Sequence, residues 1–568
     1  MSTSTEEAAR NAVSAERLQR HLEWFAKVPR DTGGTGEHRA AAYMAEQLRA
    51  DGVPVTVHEF DAFLSYPIRA TLQVLQPEPL EIRCLTHSFG RSTGPNGIVA
   101  ELGEGDLNDL AGKAALVKGL ATPITILAAS RIGLAAVVFT NEDWVIHNMI
   151  GTTIWGTPGL DQIDRLPSLP VVSVNREDGE RLRALIARHD RVQIRLVTEV
   201  KTGWFPSKLP EVRIPGSQEP ERFVLVGAHY CAWHEGITDN ATGDACLLEM
   251  ARVLWERRAE LRRGVRICWW PGHSHGRYAG STWYADTFFG DLARGCIAYH
   301  NIDSPGVKGA THYVARHTTA EVEDFCRTVI GDISGQKEAP IHRPSRAADQ
   351  SFLANGVAAF STYPFLPEGH EDRRPWTGGA ANAWWWHTEY DTLDKADKDI
   401  LRLDTQISLS AVIRLCTADV LPLRPSATVR EIGAALRDIQ AKSGDHLDLQ
   451  PARAALDDLT SAVNELEGMR DRADQAAALN ATLLRLGRIL NPVVYSQGGR
   501  FSHDPAEWSP IMRPTGGAAL SALGRAAGLP QLHGQPEYGF LKAQVVRERN
   551  RVTEALREAA AAARATGR

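Results

Sequence analysis

Residues 223–254 read FVLVGAHYCAWHEGITDNATGDACLLEMARVL. The opening run, Phe223 to His229, is apolar without interruption, has strand length and ends on a histidine. From Asp244 onward the period changes, and Leu247, Met250, Ala251 and Leu254 fall at i, i+3, i+4 and i+7, one buried helical face. An unbroken apolar strand followed by a helix is the repeating unit of a parallel sheet covered on both sides. The unit recurs downstream as VRICWW (265–270), a helix from about Ser281, CIAYHNI (296–302) and VAAFSTY (357–363). The expected fold class is therefore α/β, a mostly parallel sheet with helices on both faces. Ligands of such sheets gather at the carboxyl ends of the strands, so the residues just after each strand matter most.

Working outward, GEHRAAAYMAEQLRADGVPVTVHEF (36–60) reads as an amphipathic helix, a stop at Gly52 and an alternating strand. Between about 97 and 200 come short apolar runs, AALVKG, AAVVFT and LPVVSV, and then a helix at Glu177 to Arg188. This is the pattern of a small β-rich unit inserted into the first one. Beyond Pro425 the residues turn to Ala, Leu, Arg and Asp with helical periodicity, followed by a loop-rich stretch at 491–510 and a last helix. The Ala-rich tail 559–568 is expected to fray. The expected division is 16–95 with 201–424 as one discontinuous domain, 96–200 as the insertion and 425–568 as a helical domain.

A chain of 568 residues exceeds one hydrophobic core, and 43% hydrophobic content suffices to bury several. With 63 basic and 69 acidic residues, a net charge of -6 and no block of like charge, the sequence lacks a nucleic-acid footprint. The start, MSTSTEEAARNAVSAERLQR, lacks the basic and apolar regions of a secretory signal. The most apolar long stretch, 114–140, is broken by Lys118, Ser130 and Arg131, so no membrane span is expected. Seven scattered cysteines without CxxC spacing fit a reducing compartment and buried free thiols; the expected location is the cytoplasm.

Four residues stand where the predicted sheet would present ligands. His229 ends the first strand, Asp239 precedes its helix, Asp303 follows the strand CIAYHNI, and His387 lies in WWWHTEYDT. Neutral imidazole and carboxylate suit zinc, and a carboxylate has two oxygens with which to bridge a pair of ions. Singly, such an aspartate caps a turn and such a histidine packs in a core. Four of them at one sheet edge point to a metal site.

The order HxxxxxxxxxDN with Gly227 two residues before the histidine, then a strand followed by GRYAGS, then AYHNID, then HTEYDT resembles the co-catalytic zinc aminopeptidases. In layout it is most similar to the branch containing glutamate carboxypeptidase and transferrin receptor, which inserts a protease-associated domain and appends a helical dimerisation domain. The resemblance covers nearly all of residues 20 to 560. It implies that Asp239 is the bridging carboxylate, that His229 and Asp303 complete one metal site and that His387 belongs to the other. It also implies a zinc-exopeptidase-like fold, one or two divalent ions with zinc first and iron, manganese or others as alternatives, a short peptide or small-molecule substrate, and a homodimer.

One departure is large. Where the family has adjacent glutamates, a general base and a metal ligand, this chain reads PGHSHGRYAGS. Anchoring on Gly276 puts His273 and Ser274 at those positions; anchoring on Gly280 and Ser281 puts Ser274 and His275 there. Three chemical readings stay open. His275 or His273 replaces the missing ligand while the other moves protons, since two residues apart on an extended segment point the same way. Alternatively one ion at His229, Asp239 and Asp303 works with a histidine base, or hydrolysis is lost. Against these stands simple packing of both rings. The aspartate that the family places two residues after the first histidine is here Cys231, a thiolate ligand or a small core residue. Trp233, Trp269, Trp270 and Trp384 to Trp386 are candidates for an aromatic wall, and Arg343, Arg346, Arg373 and Arg374 for gripping a substrate carboxylate. Asp349 matches a family segment near the pocket and receives no role.

The functional expectation is a metal-dependent hydrolase of a C–N amide bond in a small peptide, aminoacyl or N-acyl amino-acid compound, with His273, His275 and Ser274 as catalytic candidates and His229, Asp239, Asp303, His387 and His275 as ligand candidates. A metal-dependent lyase or redox enzyme and a non-catalytic dimeric binding protein are the alternatives.

Overall fold

The apolar runs pair as their composition requires. In the computed structural model, which describes residues 2–506 and 519–566, Glu219–His229 is central and pairs in parallel with Arg263–Trp270 on one side and Cys296–Asn301 on the other. Cys296–Asn301 continues in parallel to Ala358–Phe365, and His312–Arg316 closes that edge antiparallel. Beyond Arg263–Trp270, the long strand Gln193–Ile214 pairs antiparallel and is itself joined along its length by Thr56–Gln76.

Both faces of the central strands are covered, and the period of two decides which side chain goes where. Val224, Val226, Val265 and Ile267 pack with Leu247, Met250 and Leu254 of the helix Thr242–Glu256. Phe223, Leu225, Cys268 and Trp270 turn to the other side, against Tyr284, Leu292 and Tyr299. The helix Thr242–Glu256 is buried almost all round rather than on the one face its spacing predicts. Helices Ala15–Phe25 and Lys398–Thr417 close over its outer side, so even Asp244 and Glu249 are inside.

The 97–200 stretch is richer in parallel pairing than a β-rich insertion suggests. Ile98–Gly103, Ala114–Lys118, Ala136–Thr140 and Val171–Val174 run parallel, with Pro123–Ile132 and Arg176–Arg188 as helices, and Ile98–Gly103 joins the main sheet through Gln193–Ile214. Its inner residues, among them Leu116, Val138, Val172 and Leu196, form a core of their own.

From Pro425 the chain is helical, with Pro425–Ser443, Gln450–Glu467, Ala476–Tyr495 and Pro536–Ala565 packed together. The tail does not fray as far as it is described. The last helix runs to Ala565, and Ala559, Ala560, Ala562 and Ala563 are buried, because small side chains let it lie close on its neighbours. The end of the expected loop-rich stretch, 507–510, and residues 567–568 of the tail lie outside the described residues. All seven cysteines are free and buried. Among the described residues no helix is long and apolar enough to cross a membrane.

The core holds several neutral histidines. Burial pushes His87 down to about 3 and His21, His147 and His300 down to about 4. A folded-state pKa below the unfolded value of about 6.5 gives stability that is complete above pH 6.5 and is lost as pH falls towards the folded value. Each of the four is expected to cost about 3 kcal/mol by pH 4. Melting temperature should therefore fall steadily from pH 6.5 downward, ahead of bulk carboxylate protonation, and a flat profile from pH 6.5 to 5 would contradict it.

Candidate functional site

Three of the five expected ligand residues meet at the carboxyl ends of the parallel strands, and His275 is not among them. His229 Nε2 lies 3.0 Å from Asp239 Oδ1 and 3.8 Å from Asp303 Oδ1. Among the described residues this trio alone brings three donor atoms of His, Cys, Asp or Glu within 4.8 Å of one another. His387 joins through the other oxygen, with Nε2 3.2 Å from Asp239 Oδ2. Asp239 thus stands between two imidazoles, one on each carboxylate oxygen.

The surroundings fix each ring. His229 Nδ1 donates to the Cys231 carbonyl at 2.9 Å and His387 Nδ1 to the Asn148 carbonyl at 2.7 Å, so both Nε2 atoms face Asp239. The Cys231 backbone thereby does what the resemblance assigns to an aspartate side chain. Its thiol accepts the His273 N–H at 3.2 Å, which ties it to the neighbouring turn. Asp391 accepts from the Thr238 N–H and hydroxyl and from the Asp239 N–H, anchoring the loop. Asn240 joins that loop to the Asp303 segment, accepting from Ser304 N–H and donating to the Ile302 carbonyl.

Electrostatics agree with a site built around positive charge. Burial raises the Asp303 carboxyl above its ordinary value, and the charge of Asp239 adds to this. Burial would raise Asp239 too, but the imidazoles of His229 and His387, one beside each of its oxygens, outweigh it and hold the group well below the usual range. His229 Nε2 is buried without a hydrogen-bond partner although carboxylate oxygens surround it. A lone pair aimed with two carboxylates at one point fits a divalent cation, and one nitrogen with two oxygens is a donor set that zinc takes.

The PGHSHGRY segment does not extend as the alternation argument supposes. Positive φ at Gly272, Arg277 and Tyr278 curls it into successive turns, closed by Gly276 N–H to the Gly272 carbonyl and Tyr278 N–H to the His273 carbonyl. A Cβ at Gly272 would sit 2.8 Å from that of Ala279, so the turn is also tight. The two histidines consequently diverge. His273 stacks on His229, centroids 3.9 Å apart, and its Nδ1 lies 2.7 Å from Asp349 Oδ2. His275 faces Trp233 at 4.3 Å and Tyr66 at 5.4 Å, burial pushes it down to about 3, and its Nδ1 has no partner. Ser274 is buried and, like His275, does not line the cleft. Of the three catalytic candidates, only His273 does.

The cleft encloses about 580 Å³, counting space open to solvent, and includes Asp239, Asp303, His273 and His387 together with Arg277, Arg316 and His317. Of the candidate aromatic wall only Trp386 reaches it, stacked on His387 at 3.8 Å, while Trp269 and Trp270 are core. None of the four arginines proposed to grip substrate lines the cleft. Arg343 pairs with Glu323 and Glu431, Arg346 with Asp504 and Arg374 with Asp143, and Arg373 lies 4.0 Å from Glu368. Arg277, Arg316, His317 and the partnership of Asp349 escaped the sequence reading. One local signal marks the site: Arg277, Tyr278, His317, Ala348 and His387, all lining residues, hold positive φ.

This arrangement, a histidine ending one parallel strand and an aspartate opening the next helix, lies wholly inside one matched segment. Residues 212–412 match peptidase family M28. The chain is 24% identical over 343 residues to a probable glutamate carboxypeptidase of Zea mays, covering 48% of each. It is 23% identical over 405 residues to a probable leucine aminopeptidase 2 of Aspergillus oryzae, covering 67% of this chain and 78% of the other. A peptidase M28 precursor from Shewanella amazonensis superposes with a TM-score of 0.60 at 18% identity, covering 75% of this chain and 98% of that one, a likeness of fold. The chain spans less than half the length of the first glutamate carboxypeptidases it matches. Within the M28 segment the stretch PGHSHGRYAGS, 271–281, holds His273, Ser274 and His275 and no glutamate.

Proposed function

We propose that the protein is a metal-dependent hydrolase of a C–N amide bond in a small peptide, aminoacyl or N-acyl amino-acid substrate, using one ion held by His229, Asp239 and Asp303. The observation that carries this reading is the His273–Asp349 pair stacked against His229. It sets a proton-transfer group beside a donor cluster, in the turn where the family has its glutamates.

A divalent ion, zinc first, supplies carbonyl polarisation and a more acidic water. Asp349 accepts a hydrogen bond from His273 Nδ1–H, which leaves Nε2 to take a proton from the attacking water. The water oxygen bonds the acyl carbon, the C–N bond breaks, and His273 Nε2 passes its proton to the departing nitrogen, so that an acid and an amine result. His387 lies against Asp239 Oδ2, and Trp386 stacks on His387.

Purified full-length protein should contain about one equivalent of divalent metal and cleave members of a panel of N-acyl amino acids, aminoacyl anilides and dipeptides. Chelation should abolish turnover, and zinc or manganese should restore it. Stoichiometric metal without cleavage of any amide sinks the hydrolase reading, and absence of metal sinks it together with the site.

A further inference from the structure

Arg277 is anomalous. Its side chain belongs to a residue only 4% exposed, yet Nε and Nη2 have no hydrogen-bond partner and no carboxylate pairs with it among the described residues. The guanidinium lies 5.4 Å from the Tyr278 ring centroid, an attraction that does not satisfy N–H donors. A buried charge without an anion is costly, and the group is held in place by a positive φ and by its own carbonyl, which accepts the Gly156 N–H.

Arg277 lines the cleft that holds the metal donors. The acids of that lining are Asp239 and Asp303, and both are turned to His229. Two further donors share the wall. Arg316 spends Nη1 on the Gly378 carbonyl and lies over the Tyr363 ring, and His317 Nδ1 faces Ser345, which leaves its other nitrogen to carry the proton. The cleft thus combines one metal-donor cluster with Arg277, Arg316 and His317 in a lining that also holds apolar residues such as Met149, Ile150 and Ala347. It has no spare carboxylate for a free α-ammonium group.

We propose that Arg277 is the specificity residue of this cleft, its guanidinium binding a carboxylate on the amine half of the substrate, which makes the substrate class N-acyl amino acids rather than peptides with a free amino terminus. This rests on the amide-hydrolase reading above. A planar guanidinium matches a carboxylate with two parallel hydrogen bonds.

The test uses the full chain with its metal and compares N-acetyl-L-amino acids with the matching N-acetyl-L-amino-acid amides, by calorimetric titration and by kcat/KM. The acids should bind at least about tenfold tighter than their neutral counterparts. Arg277→Met should erase the difference and Arg277→Lys should keep part of it, with metal content and melting temperature near wild type in both. Equal binding of acids and amides by the wild type overturns the assignment, as does a preference that survives Arg277→Met in folded, metal-bearing protein. If Arg277→Met fails to fold, the wild-type comparison and Arg277→Lys still decide. Preferential binding of acids without cleavage defeats the hydrolase reading alone, whereas cleavage of acids and amides with equal kcat/KM defeats the Arg277 assignment alone.

Discussion

Asp239→Asn is expected to strip the protein of tightly held metal and to lower amide turnover by more than the ~10–100-fold typical of losing an outer partner of a metal ligand. The reason is that Asp239 serves both imidazoles at once, through Oδ1 at 3.0 Å from His229 Nε2 and Oδ2 at 3.2 Å from His387 Nε2. Asparagine keeps one acceptor and replaces the other by an NH₂ group. With the NH₂ on the Oδ1 side its hydrogens point where the cation needs a lone pair, and with it on the Oδ2 side a neutral amide oxygen replaces a charged one toward the cation. The loss of negative charge also leaves Asp303 as the sole carboxylate of the trio. Asp391→Asn, which touches only the Thr238 and Asp239 backbone and the Thr238 hydroxyl, should fall within the smaller range. Metal content after exhaustive dialysis, measured beside kcat, tests both. An Asp239→Asn protein that retains a full equivalent of metal means the ion, if one binds, is held elsewhere.

Four of the five ligand candidates, all but His275, come together, and each of the four was legible because it follows a signal that survives folding. His229 closes an apolar strand, Asp303 follows one, Asp239 precedes a periodic helix, and His387 sits in a motif whose order matches known enzymes. In the folded strand Val224 and Val226 take one face and Phe223 and Leu225 the other, a split that an uninterrupted apolar run does not announce. What was not legible depends on backbone conformations or on distant partners. The choice between His273 and His275 is made by left-handed residues at 277 and 278, which an arginine and a tyrosine do not announce. Asp349 reaches His273 across 76 residues, and nothing local to DQSF says so. Arg277 looks like any loop cation until its burial and missing partner are seen, whereas Arg343 and Arg346, which looked equally free, are paired. The first helix, Ser2–Asn11, was also unforeseen in a polar segment. Tertiary contacts support it, Glu6 meeting Arg414 at 2.8 Å.

His273→Gln should lower kcat by about 10²–10⁴-fold while leaving metal content and KM close to wild type, because the group proposed to transfer the proton is removed and no direct metal donor is touched. Glutamine preserves a polar side chain of similar reach but cannot accept and return a proton near neutral pH. His275→Gln should leave kcat far less affected, since that ring packs against Trp233 and Tyr66 outside the cleft lining. The contrast matters because the two histidines are equivalent by sequence anchoring and separable only by the turn. Asp349→Asn should fall between them. Asp349 accepts from both His273 and Ser281, so an NH₂ group must oppose one of these. If Ser281 yields, its hydroxyl can rotate to accept the new donor and remain within reach of Ser351 at 2.8 Å, and His273 keeps its tautomer. If His273 yields, Nδ1 becomes the acceptor, Nε2 carries the proton, and the base is lost along with the activity. A pH–rate profile separates the outcomes: in the first the ascending limb is kept, and in the second it disappears with kcat. Near-normal turnover in His273→Gln would return the proton-transfer role to a group outside this turn.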